Sequence, residues 1–163
     1  MILFHGSSIS VPQPDISKGR KNLDFGQGFY LTELQAQAEA WAGIIASRKG
    51  REVLPIVSKY EFDIESAIEF GARTKRFAAY DMEWLDYVVS CRNGRDAATE
   101  FDIVEGGVAN DNVIDTVEDY EKNVITAQQA LGQLQYKQVN HQLCILNQDI
   151  IDRFLHFTES YTP

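Results

Sequence analysis

The sequence predicts an α+β fold. Three observations lead to it. The 163 residues, 44% hydrophobic and 24% charged, suffice for one domain over residues 1–163 with a substantial core. Strand-length apolar runs and capped helical patterns follow one another without the regular rhythm of a doubly wound βαβ sheet. Two glycine-bearing motifs lie near the start, Leu3-Phe4-His5-Gly6-Ser7 and Asp24-Phe25-Gly26-Gln27-Gly28-Phe29-Tyr30-Leu31-Thr32. Each joins a short apolar run to a turn.

The elements follow in order. Ile2–His5 reads as a first strand, and the polar stretch Ser7–Asn22, with Pro12 and Pro14, as a loop. Gly28–Leu31 is a short strand. Thr32, with Gln35 three residues on, forms a capping box for a helix whose apolar face is Leu34, Ala38, Trp41, Ala42 and Ile45; Gly50 ends it. Val53–Phe62 is a strand, with Pro55 at an edge or an early position. Asp63 caps a short helix through Phe70. Asp81 caps another, with Met82, Leu85, Val88 and Val89 inward and Gly94 beyond its end. Phe101–Val108 is strand-like, interrupted at Gly106-Gly107. Val113–Tyr120 and Ile125–Leu134 are helical. Val139–Leu146 alternates as a strand, and Asp149–Phe157 closes the chain as a helix or turn. The expected architecture is two small packed sheets flanked by helices.

Composition excludes several function classes. A formal net charge of −9 repels phosphate backbones over any broad face, leaving only a local basic patch around Lys18, Arg20 and Lys21. Cys91 and Cys144 lack CxxC spacing, and His141 near Cys144 gives too few ligands for zinc, so no metal is expected. No apolar run approaches the roughly 20 residues of a membrane span. Met1-Ile2-Leu3-Phe4 is too short for a signal peptide. The expected setting is cytoplasmic, with no membrane partner.

The two opening motifs carry the chemistry. His5-Gly6 is either a strand end with a satisfied ring and a turn glycine, or a ring nitrogen aimed at a ligand hydroxyl beside a backbone open to a ligand amide. Gly26–Tyr30 is neither a dinucleotide fingerprint, lacking the third glycine, nor a phosphate loop, lacking Gly-Lys-Ser/Thr. It reads as a glycine-rich hairpin with core aromatics, or as a wall on which a planar ring stacks.

On these residues the chain resembles the ADP-ribosyltransferase superfamily, in the His-Tyr-Glu branch shared by diphtheria-type toxins and poly(ADP-ribose) polymerases. It is more closely similar to a bacterial family of such domains, often found beside small partner genes. Further matching segments are Gln37-Ala38-Glu39-Ala40-Trp41-Ala42, Glu83-Trp84-Leu85-Asp86-Tyr87 and Asp102-Ile103-Val104-Glu105-Gly106-Gly107-Val108-Ala109-Asn110-Asp111. The resemblance implies an ADP-ribosyltransferase fold that binds NAD as co-substrate, without metal.

It also implies roles by position. His5 orients a ribose of NAD, the Gly6 backbone pairs with the nicotinamide carboxamide, and Tyr30 stacks on the nicotinamide ring. Ser7, Phe25 and Gly28 line the same pocket, and Arg20 meets the diphosphate. The third family position is a glutamate on a late strand. Gln142 stands there, and its amide can bond a ribose hydroxyl but not serve as a base. Asp111, in a polar turn, is the first candidate for a replacement carboxylate, ahead of Glu105 and Asp24; an Asx turn is its structural alternative. Trp41 is expected in the core, and His141 and His156 as structural or exposed. The expected function is transfer of ADP-ribose to a macromolecule, protein or nucleic acid, by a bacterial toxin or phage-defence effector held by a small protein antitoxin. The alternatives are an NAD glycohydrolase and a catalytically silent NAD- or ADP-ribose-binding module.

Overall fold

A computed structural model describes residues 1–109, 113–135 and 140–163. Seven strands and six α-helices occur among them. In chain order they are β1 (Ile2–Ser7), β2 (Phe29–Leu31), α1 (Gln35–Lys49), β3 (Ile56–Phe62), α2 (Ile64–Glu69), β4 (Thr74–Arg76) and α3 (Met82–Arg92). There follow β5 (Ile103–Gly107), α4 (Ile114–Glu121), α5 (Ala127–Leu134), β6 (His141–Ile145), α6 (Gln148–Phe154) and β7 (Leu155–Tyr161). The strands form two sheets. One is antiparallel, in the order β1-β3-β7; the other is mixed, in the order β2-β6-β5-β4, with β4 and β5 parallel. The α+β class and the two small sheets agree with the sequence reading.

The sheets pack face to face. Leu3, Tyr60, Phe62 and Leu155 of the first meet Phe29, Leu31, Ile103, Leu143 and Ile145 of the second. The alternate residues of the second sheet, Tyr30, Val104 and Cys144, face a separate core built from Phe77, Trp84, Leu85, Val88, Val117 and Leu134. That core seats α3, α4 and α5. On the far side of the first sheet, α1 covers Phe4 and Val57 through Ala38 and Ala42. Two-residue alternation along each strand thus produces four layers: helix, sheet, sheet, helices.

Several local expectations need correction. The capping box at Thr32 does not form. Thr32 is bridged to Phe4 and its hydroxyl donates to the His141 carbonyl at 3.2 Å, so α1 begins later, at Gln35 after an uncapped Leu34. A complete capping box occurs instead at Thr126 and Gln129, ahead of α5. Trp41 is 42% exposed rather than core. The buried face of α1 is only an alanine stripe, Ala38, Ala42 and Ala46, because the helix lies too close to β1 for larger groups. Pro55 immediately precedes β3, in keeping with an early position, but β3 is the central strand of its sheet and not an edge. Gly106 and Gly107 sit inside β5 without breaking it. Two strands escape the sequence reading: β4, a three-residue polar strand, and β7, which occupies part of the closing segment.

Candidate functional site

The site is built where the two sheets join. Phe4 and Thr32 exchange both backbone hydrogen bonds, at 2.8 and 3.0 Å, in a single bridge between β1 and β2. Successive residues of an antiparallel pair turn their N–H and C=O to opposite edges. Gly6, two residues past Phe4, therefore faces its peptide groups toward β2, and Tyr30, two before Thr32, faces its own toward β1. That next pair does not form. The His5 imidazole spans the opening, its Nδ1 donating to the Tyr30 carbonyl at 2.8 Å. Phe4–Thr32 is the one bridge described between β1 and β2, so no ladder pairing continues from it to the peptide groups of Gly6 and Tyr30. Gly6 is buried, and buried peptide groups are almost always paired. The open wedge thus offers a donor and an acceptor on one glycine.

Each neighbouring residue has a reason for its place. A carbonyl can only accept, so His5 carries its proton on Nδ1 and keeps Nε2 as a lone pair. Burial pushes the His5 pKa below its ordinary value, against the opposing effect of the Tyr30 carbonyl, so the ring is neutral at pH 7. The ring rests on Phe29, with centroids 4.5 Å apart. The Tyr30 hydroxyl donates to Gly26 at 2.6 Å and accepts from the Phe25 amide at 3.1 Å, which fixes the ring against its own turn. Burial raises its pKa well above the usual tyrosine value, so it remains a phenol. A side chain at Gly28 would meet Cys144 Sγ at 2.5 Å and the Ile145 carbonyl at 2.7 Å; this glycine lets the turn close onto β6. A side chain at Gly6 would drive into the Ala38 carbonyl, with Ala42 N at 2.9 Å, so its glycine serves helix packing as well as the wedge.

The remaining sequence candidates are dispersed. Phe25 is 0% exposed, stacked on Tyr30 at 6.4 Å, and has no face for a ligand; it shapes the turn from within the core. Ser7 is half-buried at the end of β1, just beyond the wedge. Arg20 is exposed and ion-pairs with no described residue. Gln142 lies on β6 opposite Gly106, and its Nε2 is buried with no described partner. Asp111 lies outside the described residues. Asp24, a weaker carboxylate candidate, accepts from the Ala109 amide at 2.9 Å and from Arg92 at 3.3 Å; burial nevertheless raises its pKa. It fixes the turn before Tyr30 to the segment after β5. Glu105 pairs with Arg76 at 3.6 Å. Both thiols are free and buried, and burial pushes the Cys91 thiol up to about 11.

Sequence reading gave Gln37 a place in a matching segment but no role. Its Nε2 donates to the His141 carbonyl at 3.4 Å, while its Oε1 is buried without a described partner. Nothing in a solvent-facing helical pattern marks such a residue, because the signal is a long-range contact to β6. Among the described residues no cluster of His, Cys, Asp and Glu is fit for a metal ion, and no helix is long and apolar enough to cross a membrane. A separate groove of about 450 Å³ lies away from the wedge, lined by Pro12, Pro14, Lys18, Gln148 and Asp152.

Fold and site together define a class: an α+β protein of two stacked sheets whose joining strands part at a buried glycine. The model of the family described as "Protein of unknown function (DUF3990)" matches residues 1–157, and the chain belongs to that family. No curated protein and no solved structure matches the chain.

Proposed function

We propose that this chain has the ADP-ribosyltransferase fold and transfers ADP-ribose from NAD to a macromolecular acceptor. The observation that carries the reading is the wedge at Gly6. A carboxamide needs one donor and one acceptor side by side, and the N–H and C=O of a buried glycine, turned toward β2 beyond its one described bridge to β1, offer that pair. Three further features support it. Tyr30 begins its ring beside the wedge and is held rigid by its hydroxyl. His5 is neutral, with a lone pair at Nε2 for a ribose hydroxyl. Gln142 stands two residues along β6 from Cys144, the partner of Tyr30, and so shares the Tyr30 face.

In the proposed reaction, the bond from the ribose anomeric carbon to nicotinamide breaks and its electron pair leaves on the nicotinamide nitrogen. An acceptor atom bonds to the anomeric carbon and gives up a proton to solvent water. The transition state resembles the oxocarbenium ion of glycoside cleavage. Gln142 cannot take the proton. The described residues of the site therefore act by positioning and by holding the leaving group's amide. The biological setting proposed with this chemistry is that of a toxin or phage-defence effector restrained by a small protein antitoxin.

The test is the fate of label from NAD carrying a labelled adenylate, incubated with the protein and cell extract. The expected result is label in macromolecules, reduced at least tenfold in His5→Ala. Label recovered only as free ADP-ribose would assign an NAD glycohydrolase instead. No turnover with any extract would leave a silent binding module and end the transferase reading.

A further inference from the structure

Two glutamines carry buried polar atoms that the fold does not use. Gln37 Oε1 and Gln142 Nε2 are sealed from solvent, and neither has a partner among the described residues. The chemistry of Gln37 is fixed by its other end. That atom lies 3.4 Å from the His141 carbonyl, which only accepts, so it is the nitrogen and the buried atom is an acceptor. Thr32 Oγ1 donates to the same carbonyl at 3.2 Å, which sets Gln37 beside Thr32. The β2–β6 register, with Leu31 opposite Leu143, continues to bring Thr32 opposite Gln142. The two glutamines thus flank Thr32, two residues along the chain from Tyr30. The third such atom in the region, His141 Nδ1, belongs to the other face of β6, because neighbours on a strand point oppositely.

We infer that Gln37 and Gln142 are the two halves of one hydroxyl-binding subsite, Gln142 donating to a ribose oxygen and Gln37 accepting that hydroxyl's hydrogen. A hydroxyl is satisfied only by one donor and one acceptor, and these two amides present one of each. A fully ionised phosphate has no hydrogen for Gln37 Oε1, so the pair selects a neutral sugar hydroxyl over an anion. The identity of the sugar as a ribose of NAD rests on the function proposed above; the recognition of a hydroxyl rests on the two amides alone. Gln37 thereby supplies the acceptor that a glutamate at position 142 would have provided.

The experiment is calorimetry of NAD, and of analogues that each lack one ribose hydroxyl, with the wild type and Gln37→Met. Methionine keeps the length of the side chain and removes both polar atoms; circular dichroism checks folding, and Gln142→Met repeats the test from the other side. One analogue is expected to bind the wild type about tenfold more weakly than NAD, as for loss of one well-made hydrogen bond. Gln37→Met is expected to bind NAD about tenfold more weakly than the wild type and to discriminate no further against that analogue. If Gln37→Met discriminates as well as the wild type, or if the wild type discriminates against none of the analogues, the subsite holds a buried water only and the inference is overturned. If the wild type does not bind NAD, the NAD reading fails separately. Adenosine and 2′-deoxyadenosine then serve as probes: discrimination lost in Gln37→Met supports the subsite, and no binding of either by the wild type overturns it.

Discussion

His5 turns a strand end into a site because its ring is used twice. Nδ1 holds the Tyr30 carbonyl, which faces β1 two residues beyond the Phe4–Thr32 bridge. The cost of burying a charged ring keeps it neutral. This gives a pH dependence with a definite sign. Above about pH 6.5 neither the folded nor the unfolded chain protonates His5, so its contribution to stability is constant. As pH falls below that value the unfolded chain takes up a proton that the folded chain refuses, and stability declines. Nitrogen-detected NMR is expected to show the Nδ1–H tautomer at pH 7 and a titration midpoint below 6.5. Urea unfolding from pH 7 to pH 5 is expected to destabilise the wild type more than His5→Gln. A midpoint at or above 6.5 would mean that the ring is not held as described.

At the scale of elements, glycine and alanine decide how closely α1 rides on β1. Ala38 and Ala42 lie over Gly6, and no side chain fits between them. Gly6→Ala is expected to cost about 3 kcal/mol or more, because the added methyl meets backbone rather than a side chain that can turn away. Gly43, on the same helix, would place a methyl in open space, and Gly43→Ala is expected to stabilise by about 0.5–1 kcal/mol. Chemical denaturation of the two variants checks both signs. This contact also marks how far the elements were legible in the sequence. The caps at Asp63 and Asp81, the terminating Gly50 and the alternation of β6 are local signals, and the structure follows them. The start of α1 was misread because the Thr32 hydroxyl is drawn to His141, more than a hundred residues away. The position of Trp41 was misread because helical spacing shows an apolar stripe but not its width. β4 went unseen because Thr74–Arg76 is polar and becomes a strand only by pairing with β5.

At the scale of the whole molecule, the chain brings the N-terminal motif, the turn at Gly26–Tyr30 and the late strand β6 to one seam. The motifs at His5 and Tyr30 were legible because glycine and aromatic residues cluster there in sequence. The wedge at Gly6 was not, since it depends on where two strands cease to pair. Gln37 was not legible either, because its carbonyl partner belongs to β6. The polar side chains that the fold brings to the seam, His5, Thr32, Gln37 and Gln142, are neutral. That suits a carboxamide and a sugar hydroxyl better than it suits a phosphate. The central claim is that the wedge between β1 and β2 receives the nicotinamide end of NAD. Backbone amide NMR of the isotope-labelled protein during NAD titration tests it most directly. The expected result is saturable shifts at the Gly6 and Tyr30 amides, reproduced in part by nicotinamide alone. Shifts confined to the groove at Pro14 and Gln148, or none at millimolar NAD, would contradict it.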